Sequence, residues 1–134
     1  MAHGFLQSFD KNIEVYSAGT FPGTEVNTKA IKVMAEVGID ISQHHPKPVD
    51  MYLNDVWDYV ITVCDQAKET CPVFMGKVKH QLHLGFEDPS FLNGKEEYIM
   101  GEFYKVRDQI KSEFYNLYIN VVYLRNKDKN SSLK

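Results

Sequence analysis

Hydrophobic spacing along the 134-residue chain predicts helices in three places. The first is Met1–Phe9, which carries its apolar residues on one helical face. The second begins at Asn27, a favourable N-cap residue, and continues to about Val37, where Gly38 ends it. The third and longest covers about 95–125 and repeats apolar residues at helical spacing.

Strands are predicted between these helices. Residues 57–63 form a short, nearly continuous apolar run, which is typical of a parallel-sheet strand buried on both faces. Residues 13–17 and 78–84 alternate between apolar and polar types and predict two further strands, and a short helix is predicted over 49–53. The β-α-β order predicts an α/β fold with a doubly wound parallel sheet in three α/β/α layers.

Composition narrows the class of protein further. The length predicts a single domain over 1–126, followed by a polar, disordered tail at 127–134. The net charge of −3 gives no indication of nucleic-acid binding. Neither a membrane-spanning run nor a signal peptide is apparent in the sequence, so a cytoplasmic protein is expected. Cytoplasmic thiols stay reduced, and disulfides there are mostly catalytic or transient.

The chain has two cysteines, Cys64 and Cys71. Cys64 directly follows the apolar strand, where an open α/β sheet places its ligand crevice. A straight helix between the thiols would separate them by roughly 10 Å, whereas a disulfide needs Cα atoms about 4.4–6.8 Å apart. The pair therefore forms a disulfide only if the segment bends or unwinds, as expected of a redox switch. The alternative is that both are small buried hydrophobic residues.

Asp88 is a candidate general acid because it precedes Pro89 in a loop that follows a predicted strand. Phe86 and Phe91 are expected to desolvate the carboxyl group and raise its proton affinity. The alternative is an ordinary turn aspartate before proline.

The histidines and cysteines give no other recognisable site. Neither the pair His44 and His45 nor the pair His80 and His83 has good metal-ligand spacing, so no metal and no cofactor is expected. Neither cysteine begins a Cys-x5-Arg phosphate-binding loop, and dinucleotide and Walker motifs are absent from the sequence.

Four stretches together resemble a known family. They are SAGT at 17–20, NTKAIKVMAEVGIDIS at 27–42, VITVCDQAKETCP at 60–72 and GFEDPS at 85–90. These stretches closely resemble the thioredoxin-coupled arsenate reductases, which share the fold of low-molecular-weight protein tyrosine phosphatases. The resemblance extends to about Lys111.

The resemblance implies a reaction and a partner. In that family a first cysteine on a Cys-x5-Arg-Ser loop attacks arsenate, and an aspartate acts as general acid. A second and a third cysteine then form a disulfide that thioredoxin reduces. Cys64 and Cys71 match the second and third cysteines, and Asp88 matches the general acid. The implied ligands are an arsenate or phosphate oxyanion and thioredoxin.

The sequence also departs from the family. Met1 to Gly4 matches the segment that follows the phosphate loop, so the family's first strand, its nucleophile and its arginine are absent from this chain. We expect a truncated, catalytically incomplete protein, and we hypothesise that a homodimer compensates for the missing strand. The alternatives are a low-molecular-weight tyrosine phosphatase and a non-catalytic interaction protein of that fold.

A further departure concerns ions. Some family members hold potassium near the phosphate loop, through ligands of which only Ser17 remains in this sequence. His3, His45 and Lys47 occupy the other matching positions. We therefore expect no potassium to bind, with the Lys47 ammonium supplying a positive charge instead.

Overall fold

The structure is a computed structural model, which describes residues 1–19, 25–64 and 74–125. Cys71 and the predicted tail at 127–134 lie outside these described residues. No helix in the described ranges is long and apolar enough to cross a membrane.

Three helices form at the predicted places. They are α1 (Ala2–Phe9), α2 (Thr28–Ala35) and α3 (Glu96–Leu117). Asn27 caps α2, because its side-chain oxygen accepts hydrogen bonds from the backbone N–H groups of the first turn. Gly38 follows α2 with a φ of 81°, a left-handed conformation that glycine adopts without steric cost.

The long C-terminal helix changes its winding near its end. Beyond α3 the chain continues as a π-helix over Tyr118–Tyr123. Two short 3-10 helices are also present, Val49–Tyr52 and Pro89–Phe91. The first of these confirms the short helix predicted over 49–53.

Two parallel strands form the sheet in the described residues, β1 (Val56–Thr62) and β2 (Lys77–His83). Their ends lie within one residue of the prediction. Backbone pairing continues past the strands, since Leu84 N–H donates to the Thr62 carbonyl at 2.9 Å. The segments that follow β1 and β2 therefore leave the same edge of the sheet. The α/β class with a parallel sheet and helices is confirmed.

The strand predicted over 13–17 is not present as a strand. This segment joins no ladder with another strand in the part of the chain that the structure describes. It packs instead through Tyr16, whose ring centroid lies 5.2 Å from that of Trp57 in β1. Alternation specifies which side chains share a face, but a strand also needs a backbone partner.

The expectation that β1 is buried on both faces is also wrong. Its residues are only half-buried or exposed, and Val56 is 65% exposed. With β2 as its single neighbour in the described sheet, β1 is an edge strand.

The core lies between the three helices and the inner side of the sheet. Its fully buried side chains come from all three helices and from the loop after α2: Phe5, Val33, Met34, Ile41, Phe103 and Phe114. Gly4 lets α1 approach this loop closely, since a Cβ there would lie 2.9 Å from Cγ2 of Ile41. This packing fixes the position of the α1 N-terminus beside the loop that carries the paired histidines.

Candidate functional site

The carboxyl edge of the sheet brings together two of the predicted site residues. Cys64 follows β1, and the loop that carries Asp88 follows β2. Phe86 N–H donates to the Val63 carbonyl at 3.1 Å, which ties the two segments together. At Gly85 a Cβ would lie 3.2 Å from the carbonyl oxygen of Cys64, so the two backbones are in close contact. Cys64 and the segment that leads into the Asp-Pro loop therefore lie side by side at this edge.

Asp88 caps the 3-10 helix Pro89–Phe91. Its Oδ1 accepts hydrogen bonds from the backbone N–H of Ser90 at 2.9 Å and from Oγ of Ser90 at 2.6 Å. Within the described residues Oδ2 has no hydrogen-bond partner, so it is open to a ligand.

The expected desolvation of Asp88 by two phenylalanines is wrong. Asp88 is exposed to solvent, and Phe91 is itself 77% exposed. Phe86 is buried, but its ring stacks on Phe114 in the core with 5.9 Å between centroids. The 3-10 turn after Asp88 directs Phe91 outward. The carboxyl group is accessible, and any burial of it requires a ligand or a partner.

His83, at the end of β2, also lies at this edge, although no motif in the sequence pointed to it. Its Nδ1 lies 2.7 Å from Oγ1 of Thr62, and the two residues are register partners. Its Nε2 lies 3.1 Å from the point where a Cβ would stand at Gly85. The ring therefore packs against the turn that joins β2 to the Asp88 loop. Pairing the predicted strands 57–63 and 78–84 in parallel from their first residues would have placed Thr62 opposite His83.

A second cluster of polar side chains lies at the N-terminal end of α1. Nδ1 of His3 is hydrogen-bonded to Oγ of Ser17 at 2.7 Å, and the rings of His3 and His44 lie 4.4 Å apart. Lys47 and His45 complete the polar side of a cavity of about 200 Å³. The family resemblance grouped His3, Ser17, His45 and Lys47 as positions that match an ion site. It did not include His44, which the structure adds to this cluster.

Burial and neighbouring positive charge set the protonation of this cluster. The pKa of His3 is lowered to about 4, chiefly by burial and then by the charges of His44, the terminal ammonium group and Lys47. The pKa of His44 is also lowered, again chiefly by burial. Both imidazoles are therefore neutral at neutral pH in the structure as it stands.

Backbone hydrogen bonds fix the two chain segments that carry Ser17 and Lys47. Gly19 N–H donates to the Lys47 carbonyl at 2.9 Å, and Val49 N–H donates to the Gly19 carbonyl at 3.0 Å. These two bonds hold the segment after Ser17 against the segment that carries Lys47.

The two arginines of the chain have structural contacts. Arg107 links α2 to α3, since it donates to the Val33 carbonyl at 3.1 Å and forms an ion pair with Asp108 at 2.8 Å. The Arg125 guanidinium lies 5.9 Å from the centroid of the Tyr59 ring. No group of three or more histidine, cysteine, aspartate or glutamate side chains in the described ranges is arranged to hold a metal ion.

Residues 1–130 match the family model described as low molecular weight phosphotyrosine protein phosphatase. The chain belongs to this family. Its relatives in the family include proteins named arsenate reductase. One from Staphylococcus haemolyticus is 42% identical over 99 residues, which are 74% of this chain and 70% of that protein. One from Staphylococcus xylosus is 43% identical over 112 residues, covering 83% of this chain and 79% of the relative.

Solved structures give the same relationship. A structure described as an arsenate reductase in the phosphate binding state superposes with a TM-score of 0.71 and 30% identity. The match covers 90% of this chain and 86% of that one. A structure of an arsenate reductase in the oxidized state gives a TM-score of 0.68, also at 30% identity, over 87% and 83% of the two chains. The resemblance inferred from four short stretches of sequence is thus confirmed at the level of family and fold.

Proposed function

We propose that this chain belongs to an arsenate-reducing system, in which Cys64 and Cys71 supply the electrons and Asp88 supplies a proton. The observation that carries this proposal is the shared carboxyl edge, where Cys64 and the Asp88 loop leave neighbouring parallel strands in backbone contact. The similarity of the chain to arsenate reductases supports it. We assign the protein to the cytoplasm, where both thiols would be reduced at the start of the reaction.

The two thiols balance the electrons of the reaction. Reduction of arsenate to arsenite requires two electrons and releases one oxygen atom as water. Oxidation of Cys64 and Cys71 to one disulfide supplies both electrons and the two protons that water formation consumes. A dithiol protein of the thioredoxin class then reduces the disulfide by thiol exchange, and its own thiols become oxidised.

In this proposal Asp88 delivers a proton to a departing oxygen. Ser90 holds Oδ1 by two hydrogen bonds, and among the described residues Oδ2 has no hydrogen-bond partner, which supports a role in contacting the oxyanion. Because Asp88 is exposed in this structure, the bound substrate itself has to exclude water from the carboxyl group before it acts as an acid.

The oxyanion itself needs a further cysteine and a positive charge. The 134 residues contain no Cys-x5-Arg-Ser loop, and both arginines have the contacts described above. We therefore propose that the 134-residue chain does not turn over arsenate alone. We also propose that a second copy of the chain pairs along β1 and so covers the side of this edge strand that faces away from β2.

A coupled assay with thioredoxin, thioredoxin reductase and NADPH tests the proposal. The oxidised chain should consume one equivalent of NADPH in a single turnover, and Cys64→Ser or Cys71→Ser should abolish this consumption. Adding arsenate to the chain alone should not sustain consumption. Fusing to Met1 a strand and a Cys-x5-Arg-Ser loop of the kind that the family resemblance implies should create arsenate-dependent turnover.

In the fused protein, Asp88→Asn should lower turnover by about 10²-fold to 10⁴-fold, the usual contribution of a general acid. Asp55→Asn is the matched control, because Asp55 is also exposed but precedes β1 at the opposite edge of the sheet. Equal effects of the two substitutions would remove Asp88 from the mechanism. Absence of a disulfide that thioredoxin reduces would refute the role of the thiol pair.

The second candidate is a tyrosine phosphatase, which the name of the matching family favours. In this chain Ser90, not an aromatic residue, follows the Asp-Pro pair, and Phe91 points into solvent. Hydrolysis of p-nitrophenyl phosphate by the fused protein without arsenate-dependent NADPH consumption would select the phosphatase. Failure of both assays would select a non-catalytic interaction protein.

A further inference from the structure

We propose that the cavity bounded by His3, Ser17, His44 and Lys47 binds a small tetrahedral oxoanion and takes up protons as it does so. The site differs from the edge that carries Cys64 and Asp88. It is formed by the α1 N-terminus, the segment around Ser17 and the loop before Val49.

The lining of the cavity selects for negative charge. Besides Val15, Tyr16 and Tyr52, its lining residues are one serine, one glutamine, three histidines and one lysine: Ser17, Gln43, His3, His44, His45 and Lys47. No aspartate or glutamate is among the described residues that line it. A cation in this space would meet the Lys47 ammonium and find no carboxylate, whereas an oxoanion would meet several hydrogen-bond donors.

The contact between two imidazoles supplies the proton dependence. His3 and His44 lie with ring centroids 4.4 Å apart, so protonation of either ring disfavours protonation of the other. An oxoanion beside both rings would offset that repulsion and favour the charged form of each. Anion binding and proton uptake by the two histidines are thus thermodynamically linked.

Several charged groups around the two rings affect the protonation of His3 and His44. His3 faces His44, Lys47 and the terminal ammonium group, all of which oppose its protonation. His44 faces the same ammonium group, His45 and Lys47, and it also faces Asp40, the one neighbour among these whose charge favours protonation. Asp40 is exposed and caps its own turn through Ser42, so it does not line the cavity.

The cavity has suitable dimensions and a fixed wall. Its volume of about 200 Å³ exceeds the roughly 30 Å³ share of one liquid water several times. An oxoanion with a few waters therefore fits. The hydrogen bond between His3 and Ser17 and the two backbone bonds at Gly19 hold the donors in place before any ligand binds.

Titration of the full chain with inorganic phosphate and with sulfate, by calorimetry and by histidine ring proton resonances from below pH 4 to pH 8, tests the inference. We expect saturable binding that tightens as the pH falls. The midpoint of His3 should rise by at least one pH unit when the anion is saturating. Sulfate keeps its charge over this range, so tightening with sulfate assigns the proton uptake to the protein.

Three variants make the result specific. Lys47→Gln, at an exposed position, should weaken binding at least tenfold without changing the fold by circular dichroism. His3→Asn should weaken binding and remove most of its pH dependence. His80→Asn is the matched control, since His80 lies on β2 against Tyr59 and should change neither quantity.

Three outcomes would contradict the proposed anion site. No phosphate or sulfate binding at pH 6, or binding unchanged in both Lys47→Gln and His3→Asn, would overturn the inference. Stabilisation by potassium chloride over sodium chloride would show a cation site instead. The measurement needs no turnover, so failure of the proposed arsenate chemistry leaves this test intact.

Discussion

Oγ1 of Thr62 lies 2.7 Å from Nδ1 of His83, across the last register pair of the two parallel strands. The bond fixes the His83 ring, whose Nε2 packs against the backbone at Gly85. Gly85 in turn approaches the carbonyl of Cys64. One side-chain hydrogen bond thus supports the place where the thiol segment and the Asp88 loop diverge.

Replacing Thr62 by valine should test this support. The substitution keeps the shape of the side chain but removes its hydroxyl group, so we expect a loss of about 0.5–1 kcal/mol in the free energy of unfolding. Urea titration measures this loss. Thr62→Ser keeps the hydroxyl and should retain the His83 ring resonance of the wild type. A valine variant with unchanged stability and an unchanged His83 resonance would show that the bond does not hold the ring.

The elements that were predicted correctly depend mostly on local signals in the sequence. Asn27 and Gly38 delimit α2 through backbone capping and a left-handed φ, which depend on a few adjacent residues. The period of apolar residues likewise located α3 and the strands beginning at Val56 and Lys77. None of these elements required knowledge of a distant partner.

What the sequence did not predict depends on distant partners. The alternation at 13–17 describes a strand, but pairing depends on what lies beside it in space. The family resemblance grouped His3 with Ser17, His45 and Lys47, but the contact of His3 with His44 depends on the packing of α1 against Ile41. The exposure of Phe91 follows from the 3-10 turn after Asp88, whose direction the residue types alone do not specify.

Gly4 and Gly101 should respond in opposite directions to replacement by alanine. At Gly4 a Cβ would lie 2.9 Å from Ile41 and 3.0 Å from Ile39, so overpacking of about 1–3 kcal/mol should exceed the gain in helix propensity. At Gly101, in α3, a Cβ meets no atom within 4 Å, and alanine should stabilise by about 0.5–1 kcal/mol. Thermal unfolding of the two variants measures the expected destabilisation at Gly4 and the expected stabilisation at Gly101. Stabilisation by Gly4→Ala would show that α1 does not approach the loop this closely.

His3 should make the protein less stable as the solution becomes acidic. Its pKa falls from an ordinary value of 6.5 to about 4 on folding, so the unfolded chain binds the proton more readily. The contribution is fully present above pH 6.5 and is lost as the pH falls toward 4. Urea titrations over this window should give a shallower loss of stability for His3→Asn than for the wild type. Equal slopes would mean that His3 titrates alike in the folded and unfolded chains.

Tyr118 should hold its proton to unusually high pH. Its hydroxyl donates to Oδ2 of Asp10 at 2.8 Å, and only 7% of the residue is exposed. Burial first, and then this bond to a carboxylate, raise the pKa of Tyr118 to about 12 from an ordinary 10.0. The folded state therefore favours the neutral phenol, and the stability that this group contributes is present below pH 10 and is lost as the pH rises toward 12.

Replacement of Tyr118 by phenylalanine should cost about 1 kcal/mol in the free energy of unfolding at neutral pH, because the bond to Asp10 is lost. Tyr123→Phe is the control, since Tyr123 is 45% exposed and donates no hydrogen bond in the described structure. Phenolate absorbance followed to high pH should lack its latest-titrating component only in Tyr118→Phe. If both variants lose the same component and the same stability, the C-terminal π-helix is not tied to the end of α1 through Asp10.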